Sequence, residues 1–75
     1  MDNTDIDKKL AVMMKNLESF IARRGLSVPE FADQMGVSKT MVYYWIDGTH
    51  VMSLKYYLKA KEILQITDED LEAVN

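Results

Sequence analysis

Few side chains in this chain of 75 residues have the chemistry that catalysis or metal binding requires. Cysteine is absent, and the one histidine, His50, has no neighbouring ligand residues. Asp68, Glu69 and Asp70 are consecutive carboxylates, but they lack the glycine and the ligand spacing of a calcium loop. The sequence also contains no glycine-rich phosphate-binding loop. These features argue against an enzyme and predict neither a metal site nor a cofactor.

The most specific pattern in the chain lies within residues 32–45. A small residue, a glycine and three apolar residues occur at offsets 0, +4, +5, +10 and +13: Ala32, Gly36, Val37, Val42 and Trp45. Gly36 can adopt the left-handed conformation that ends a helix, and Ser38 is a good N-cap for the next helix. The pattern predicts two short helices that meet at a tight turn, over about residues 28–47.

Upstream of this pattern, one long helix is predicted from about Thr4 to Arg24. Its apolar residues recur at three-to-four spacing and form a wide stripe: Leu10, Met13, Met14, Leu17, Phe20 and Ile21. Gly25 would end this helix, after two arginines that suit its negative C-terminal dipole. Residues 1–6 are expected to be flexible.

Four shorter helices follow, each after a serine or threonine that can cap its N-terminus. The predicted caps are Ser27, Ser38, Ser53 and Thr67, and Ser27 forms a capping box with Glu30 three residues later. The fourth helix is predicted to bury Leu54, Tyr57 or Leu58, and Leu64, and the last helix carries Leu71 and Val74. Five helices with short connections predict a compact all-α architecture, with residues 1–75 as a single domain.

The composition is typical of a soluble globular domain, with 48% hydrophobic and 28% charged residues. The sequence shows no apolar run of membrane-spanning length and no signal-peptide pattern, which predicts a cytoplasmic protein without membrane contact.

The net charge of −3 argues at first against a nucleic-acid partner. However, most acidic residues lie near the two ends. The span from Lys8 to Lys61 contains all nine basic residues and four acidic ones, a balance of +5. This distribution is compatible with DNA binding, but the interpretation that we favour is that the acidic ends complement helix dipoles.

The order of these features resembles the Cro and phage-repressor (XRE-like) family of helix-turn-helix domains. The resemblance covers roughly residues 17–71 and rests on Gly25-Leu26-Ser27, Glu30-Phe31-Ala32, Gly36-Val37-Ser38, Val42, Trp45, Gly48, Ser53-Leu54, Ile63-Leu64, Ile66-Thr67 and Asp70-Leu71. It implies a five-helix, lambda-repressor-like fold. It also implies a transcriptional regulator that binds double-stranded DNA sequence-specifically.

In that family the third helix, here about residues 38–47, enters the major groove. The resemblance places Lys39, Thr40 and Tyr44 toward the bases, with Met41 and Tyr43 beside them. Lysine can donate to guanine O6 and N7, threonine or methionine can contact a thymine methyl, and tyrosine hydroxyls can reach bases or phosphates. The further DNA contacts that it implies are Ser27, Val28, Ser38, Thr49 and His50.

Several positions depart from the family pattern. Val28 occupies a position where many relatives have a phosphate-binding glutamine. Ile21 and Ile46 occupy the positions of an arginine–glutamate pair. Asp47 stands where relatives often have asparagine, and its charge would repel phosphate. These departures predict weaker DNA binding, unless a second subunit or a fused partner adds contacts.

Two partner predictions follow from the sequence. The first is a homodimer, with Tyr57, Leu71 and Val74 as candidates for exposed contacts. The second is an alternative function, in which the same fold has lost DNA binding and pairs with another protein. Among the methionines, Met41 and Met52 are expected to be exposed, whereas Met13, Met14 and Met35 have core spacing.

Overall fold

A reciprocal pair of hydrogen bonds caps the N-terminus of the helix at Val28–Met35. The Ser27 hydroxyl accepts the Glu30 N–H at 3.2 Å, and the Glu30 carboxylate accepts the Ser27 N–H at 2.9 Å. This is the predicted capping box, and it is confirmed. Pro29 fits in the first turn because its missing N–H would have no intrahelical partner there.

The computed structural model describes the backbone of residues 3–73 and the side chains of residues 6–72. Within these residues the chain forms six α-helices and no strand, which confirms the predicted all-α class. The helices are α1 (Asn3–Lys15), α2 (Leu17–Arg23), α3 (Val28–Met35), α4 (Lys39–Asp47), α5 (Leu54–Ile63) and α6 (Asp68–Ala73). The backbone of residues 3–6 belongs to α1, and the expected flexibility of Met1 and Asp2 concerns residues outside those described.

The prediction of five helices was wrong at the N-terminal end, because Asn16 divides the expected long helix into α1 and α2. The side-chain amide of Asn16 donates to the Val12 carbonyl at 2.9 Å, and its backbone N–H donates to the same oxygen at 3.1 Å. An asparagine side chain that competes in this way for backbone partners weakens a helix locally.

A three-residue turn, residues 36–38, joins α3 to α4. Gly36 adopts the predicted left-handed conformation, with φ +75°. The Val37 N–H returns to the Ala32 carbonyl at 3.0 Å, which closes the end of α3. The Ser38 hydroxyl then accepts the Met41 N–H at 3.1 Å and caps α4 as predicted. The Lys59 ammonium on α5 donates to the Met35 carbonyl at 3.2 Å, so a third helix also holds this turn.

Fifteen buried apolar residues form one core: Met13, Leu17, Phe20, Ile21, Phe31, Ala32, Met35, Val42, Trp45, Met52, Tyr57, Ala60, Leu64, Ile66 and Leu71. Helices α2 to α5 each contribute two or three of them, whereas α1 and α6 contribute one each, Met13 and Leu71. No polar or charged side chain is buried among the described residues. The radius of gyration is 11.5 Å, close to the value of about 11 Å expected for a compact chain of this length.

Burial corrects three expectations about individual residues. Met52 is 1% exposed rather than on the surface, because its loop folds it into the core. Tyr57 and Leu71 are buried and cannot supply exposed dimer contacts, and Val74 lies outside the described residues. On α5 Tyr57 faces the core, which leaves Leu54 and Leu58 more than half exposed.

The acidic helix α6 is held against the body by basic residues from other helices. Arg23 on α2 donates two hydrogen bonds to Asp70, at 3.0 and 3.1 Å. Lys61 on α5 pairs with Asp68, and Lys9 on α1 lies 3.6 Å from the same carboxylate. Three of the nine basic residues are therefore engaged by the acidic C-terminal segment.

Candidate nucleic-acid interface

Helix α4 has one buried side and one exposed side. Val42 and Trp45 are nearly inaccessible and anchor the helix in the core. The side chains of Lys39, Thr40, Tyr43 and Tyr44 are exposed on the rest of its surface. Since residues three and four apart are neighbours on a helix, Lys39 and Tyr43 are adjacent, as are Thr40 and Tyr44. The structure thus brings four predicted contact residues onto one continuous surface.

The two tyrosines of α4 keep their aromatic rings accessible to solvent. Tyr43 is 47% exposed and Tyr44 is 37% exposed, so both rings remain accessible. The Tyr44 ring meets the His50 ring edge to face, with centroids 4.8 Å apart. The His50 N–H donates to the Tyr44 carbonyl at 3.2 Å, which fixes the backbone of the loop beside the helix. Tyr44 and His50, predicted separately, therefore form one unit.

The end of α4 carries a fixed negative charge. Asp47 accepts the Thr49 N–H at 2.8 Å and the Thr49 hydroxyl, so its carboxylate is turned toward its own loop. These hydrogen bonds lower the pKa of Asp47, and it stays ionised well into the acidic range. Thr49, a predicted DNA contact, uses its hydroxyl and its N–H for this internal arrangement.

A shallow groove of about 210 Å³ runs beside α4 toward the start of α5. Its lining includes the predicted contacts Met41 and His50, together with Ser53 and Tyr56. The Tyr56 ring packs against Trp45 at 5.5 Å between centroids, and the Lys55 ammonium lies 5.6 Å from the Tyr56 centroid.

Lys55 and Tyr56 were not predicted as site residues from the sequence. The predicted site followed one helix and the loop after it, whereas Lys55 and Tyr56 belong to the next helix, α5. The aromatic pair Trp45–Tyr56 brings them near α4. Two aromatic residues eleven positions apart give no local pattern that would indicate this contact.

The N-terminus of α3 has fewer free N–H groups for a phosphate than the sequence predicted. The N–H groups of Ser27 and Glu30 are engaged in the capping box, and Pro29 has none. The Ser27 N–H holds the Glu30 carboxylate and lowers its pKa, so a negative charge already occupies this helix end. Val28 is half-buried. No hydrogen bond within the described residues joins Ser27 or Val28 to the exposed side chains of α4.

Among residues that the structure describes, no three histidine, cysteine or acidic side chains are grouped so as to hold a metal ion. The described helices include none whose length and hydropathy would allow it to cross a bilayer.

Comparisons with models of protein families, with curated proteins and with solved structures found no match. The family resemblance therefore stays a prediction that rests on the residues themselves.

Proposed function

We propose that this protein is a sequence-specific DNA-binding transcriptional regulator without enzymatic activity. In this proposal α3, the turn at residues 36–38 and α4 act as a helix-turn-helix of the lambda-repressor-like type, and α4 enters the major groove of double-stranded DNA. The single observation that supports it best is the two-sided character of α4. Val42 and Trp45 hold one side in the core, while the other side presents a lysine, a threonine and two tyrosines to solvent.

Each exposed side chain has a role that its chemistry suits. The Lys39 ammonium can donate to guanine O6 and N7, and the Thr40 methyl can contact a thymine methyl. Tyr43 and Tyr44 can donate hydroxyl hydrogen bonds to bases or phosphates. In this proposal Tyr56, which lines the groove, and Lys55, whose ammonium lies over the Tyr56 ring, would contact the phosphate backbone beside the same major groove.

The proposal includes a homodimer, because the cations near α4 are few. Lys39 is the one basic residue within α4, and the Lys55 ammonium lies over Tyr56, which packs against Trp45 of α4. Two identical modules on adjacent half-sites would double the contacts and raise the overall affinity through a high effective concentration.

A second candidate is a protein-interaction module that uses the same α4 surface. The observation in its favour is the ionised Asp47 at the end of α4, which would repel a phosphate backbone. An exposed tyrosine pair is also a frequent anchor at protein interfaces.

The two candidates are distinguished by a binding titration of the full chain against a pool of random DNA duplexes. We expect a complex at low salt that weakens as salt is raised, and enrichment of one sequence pattern after selection. The double variant Lys39→Ala/Tyr44→Ala should lose the enrichment. The matched control Arg24→Ala removes a basic side chain outside α1 and α4, whose guanidinium donates to the Ile63 carbonyl at 3.3 Å, and should retain it. A folded chain that binds no duplex at low salt would overturn the proposal and favour the protein partner.

A further inference from the structure

We infer that two copies of this chain associate through the exposed side of α1, in an antiparallel arrangement about a two-fold axis near Ala11. This inference takes up the homodimer of the proposed function and assigns its surface. Val51 lines both this surface and the groove beside α4, but none of the proposed DNA contacts lines this surface. The association is therefore tested in the absence of DNA.

The surface is an apolar area between α1 and the segment that leads into α5. One groove, of about 390 Å³, is lined by Asp7, Leu10, Ala11, Met14 and Val51. A second, of about 360 Å³, is lined by Ile6, Asp7, Leu10, Leu54 and Tyr57. The two grooves share Asp7 and Leu10 and therefore form one continuous surface.

The rim of this surface holds the most exposed large apolar side chains of the described residues. Val51 is 73% exposed and Leu54 is 53% exposed, and each lines one of the two grooves. Leu58 lies one turn after Leu54 on the same side of α5 and is also more than half exposed. A contiguous exposed patch of this kind is typical of an interaction site.

The charges of α1 point to a second copy as the occupant. Asp7, Ala11 and Lys15 are spaced four apart, so they form one row along the exposed side of the helix. Within the described residues neither Asp7 nor Lys15 forms an ion pair. In an antiparallel pair of α1 helices that cross at Ala11, each Asp7 would face Lys15 of the other copy. The row is thus complementary to itself, as a two-fold interface requires.

An apolar row lies beside the charged row. Leu10 and Met14 are also four residues apart, and each directly precedes a member of the charged row. The small Ala11 at the centre lets the two helices approach closely, and the Leu10 and Met14 side chains can then fill the grooves on either side. Val51 and Leu54 would lose solvent exposure at the edges.

The expected dimer is weak. Helix α1 is 13 residues long, about 20 Å, and one helix face with two flanking side chains buries less area than a typical stable interface. Interfaces below the standard size are typical of weak, transient complexes.

Sedimentation equilibrium of the full chain, from about 10 µM to 1 mM in low salt, measures this association. Asp7→Lys and Lys15→Asp should each raise the dissociation constant at least tenfold, because like charges then face each other at both ends of the helix pair. An equimolar mixture of the two variants should dimerise again, since each aspartate–lysine pair is restored between unlike copies. Asp33→Lys, the same charge change on the exposed side of α3, should have no effect.

Leu54→Glu provides a variant outside α1, in case charge changes weaken that helix itself. It should also prevent association, while circular dichroism shows an unchanged helix content. A chain that stays monomeric to 1 mM, a dimer unaffected by either charge variant, or a mixture that stays monomeric would each overturn the inference. Since no DNA is present, these outcomes are independent of whether the chain binds DNA.

Discussion

Met52 and Val51 are adjacent in the chain but lie in opposite environments. Met52 is 1% exposed and belongs to the core, whereas Val51 is 73% exposed beside α1. The loop between α4 and α5 is therefore attached to the core through the Met52 side chain, in addition to the His50–Tyr44 hydrogen bond. This attachment also positions His50, two residues earlier, against Tyr44.

At the scale of residues, the first prediction concerns this loop. Met52→Ala should lower the free energy of unfolding by about 2–5 kcal/mol, because it removes a fully buried side chain and leaves a cavity. Val51→Ala should change it by about 0.5 kcal/mol or less, since little buried contact is lost. Urea unfolding of the two variants measures both values. Equal effects at the two positions would show that the loop is not anchored as described.

The second residue-scale prediction concerns Lys39. Lys39→Ala should relax the preference for one base pair by about 1–3 kcal/mol, because a base-specific donor is lost. Affinities for a selected duplex and for its single-base variants measure this change. Loss of affinity by the same factor for every sequence would instead assign Lys39 to the phosphate backbone.

At the scale of elements, α6 illustrates how a short helix is kept in place. Its capping residue Thr67 and Asp70 exchange hydrogen bonds at 2.9 and 3.1 Å, and Asp70 is also bound by Arg23. Buried Leu71 adds the apolar contact with the core. One carboxylate thus joins the start of α6 to the end of α2.

Asp70 gives a prediction with a defined pH window. The Arg23 guanidinium and the Thr67 N–H lower the pKa of Asp70 to about 2. Because the pKa is depressed in the folded state, the stabilisation is fully present above about pH 4, the unfolded value, and is lost as pH falls toward 2. Asp70→Asn should therefore be less stable than the parent chain at pH 6, and the difference should shrink between pH 4 and 2.

Thermal unfolding from pH 2 to 6 measures this convergence. Glu69→Gln is the matched control, because Glu69 lies next to Asp70 on α6 and takes no part in the Arg23–Thr67 arrangement. A stability difference between the parent chain and Asp70→Asn that did not vary with pH would contradict an ionised, hydrogen-bonded Asp70.

At the scale of the whole molecule, the acidic side chains of α6 form ion pairs with basic side chains from three other helices. Lys9, Arg23 and Lys61 face the acidic helix, and Lys59 caps the end of α3. The net charge of −3 is therefore not spread evenly. Lys39 is the basic residue of α4, and Lys55 lies over Tyr56, the ring that packs against Trp45 of α4.

This distribution predicts a shallow salt dependence of DNA binding. Two phosphate-neutralising cations per chain give a slope of log K against log [salt] of about −2, or about −4 for a dimer. Lys55→Ala should reduce the magnitude of the slope by about 1 for each chain bound. Fluorescence anisotropy at several salt concentrations measures it, with Arg24→Ala as the control. A slope steeper than about −6 would show that other basic residues make the contacts.

The sequence by itself determined the features that depend on residues within four or five positions of each other. The capping box at Ser27, the left-handed Gly36 and the Ser38 cap were predicted at their observed positions. The burial of Val42 and Trp45 was predicted as well, and with it the side of α4 that is left exposed. Such features arise from local hydrogen bonds and helical periodicity, which a linear sequence displays directly.

Only the tertiary structure decided the features that depend on distant residues. The apolar residues of α5, Leu54, Tyr57 and Leu58, are compatible with more than one orientation of the helix toward the core. Packing against the other helices decides the orientation and buries Tyr57. Likewise, Arg23 and Asp70 are 47 positions apart, and nothing in the local pattern of either indicates the other. The approach of Tyr56 to α4, and the exposure of Asp7, Ala11 and Lys15 along α1, have the same origin. Each depends on how helices pack, which local periodicity leaves open.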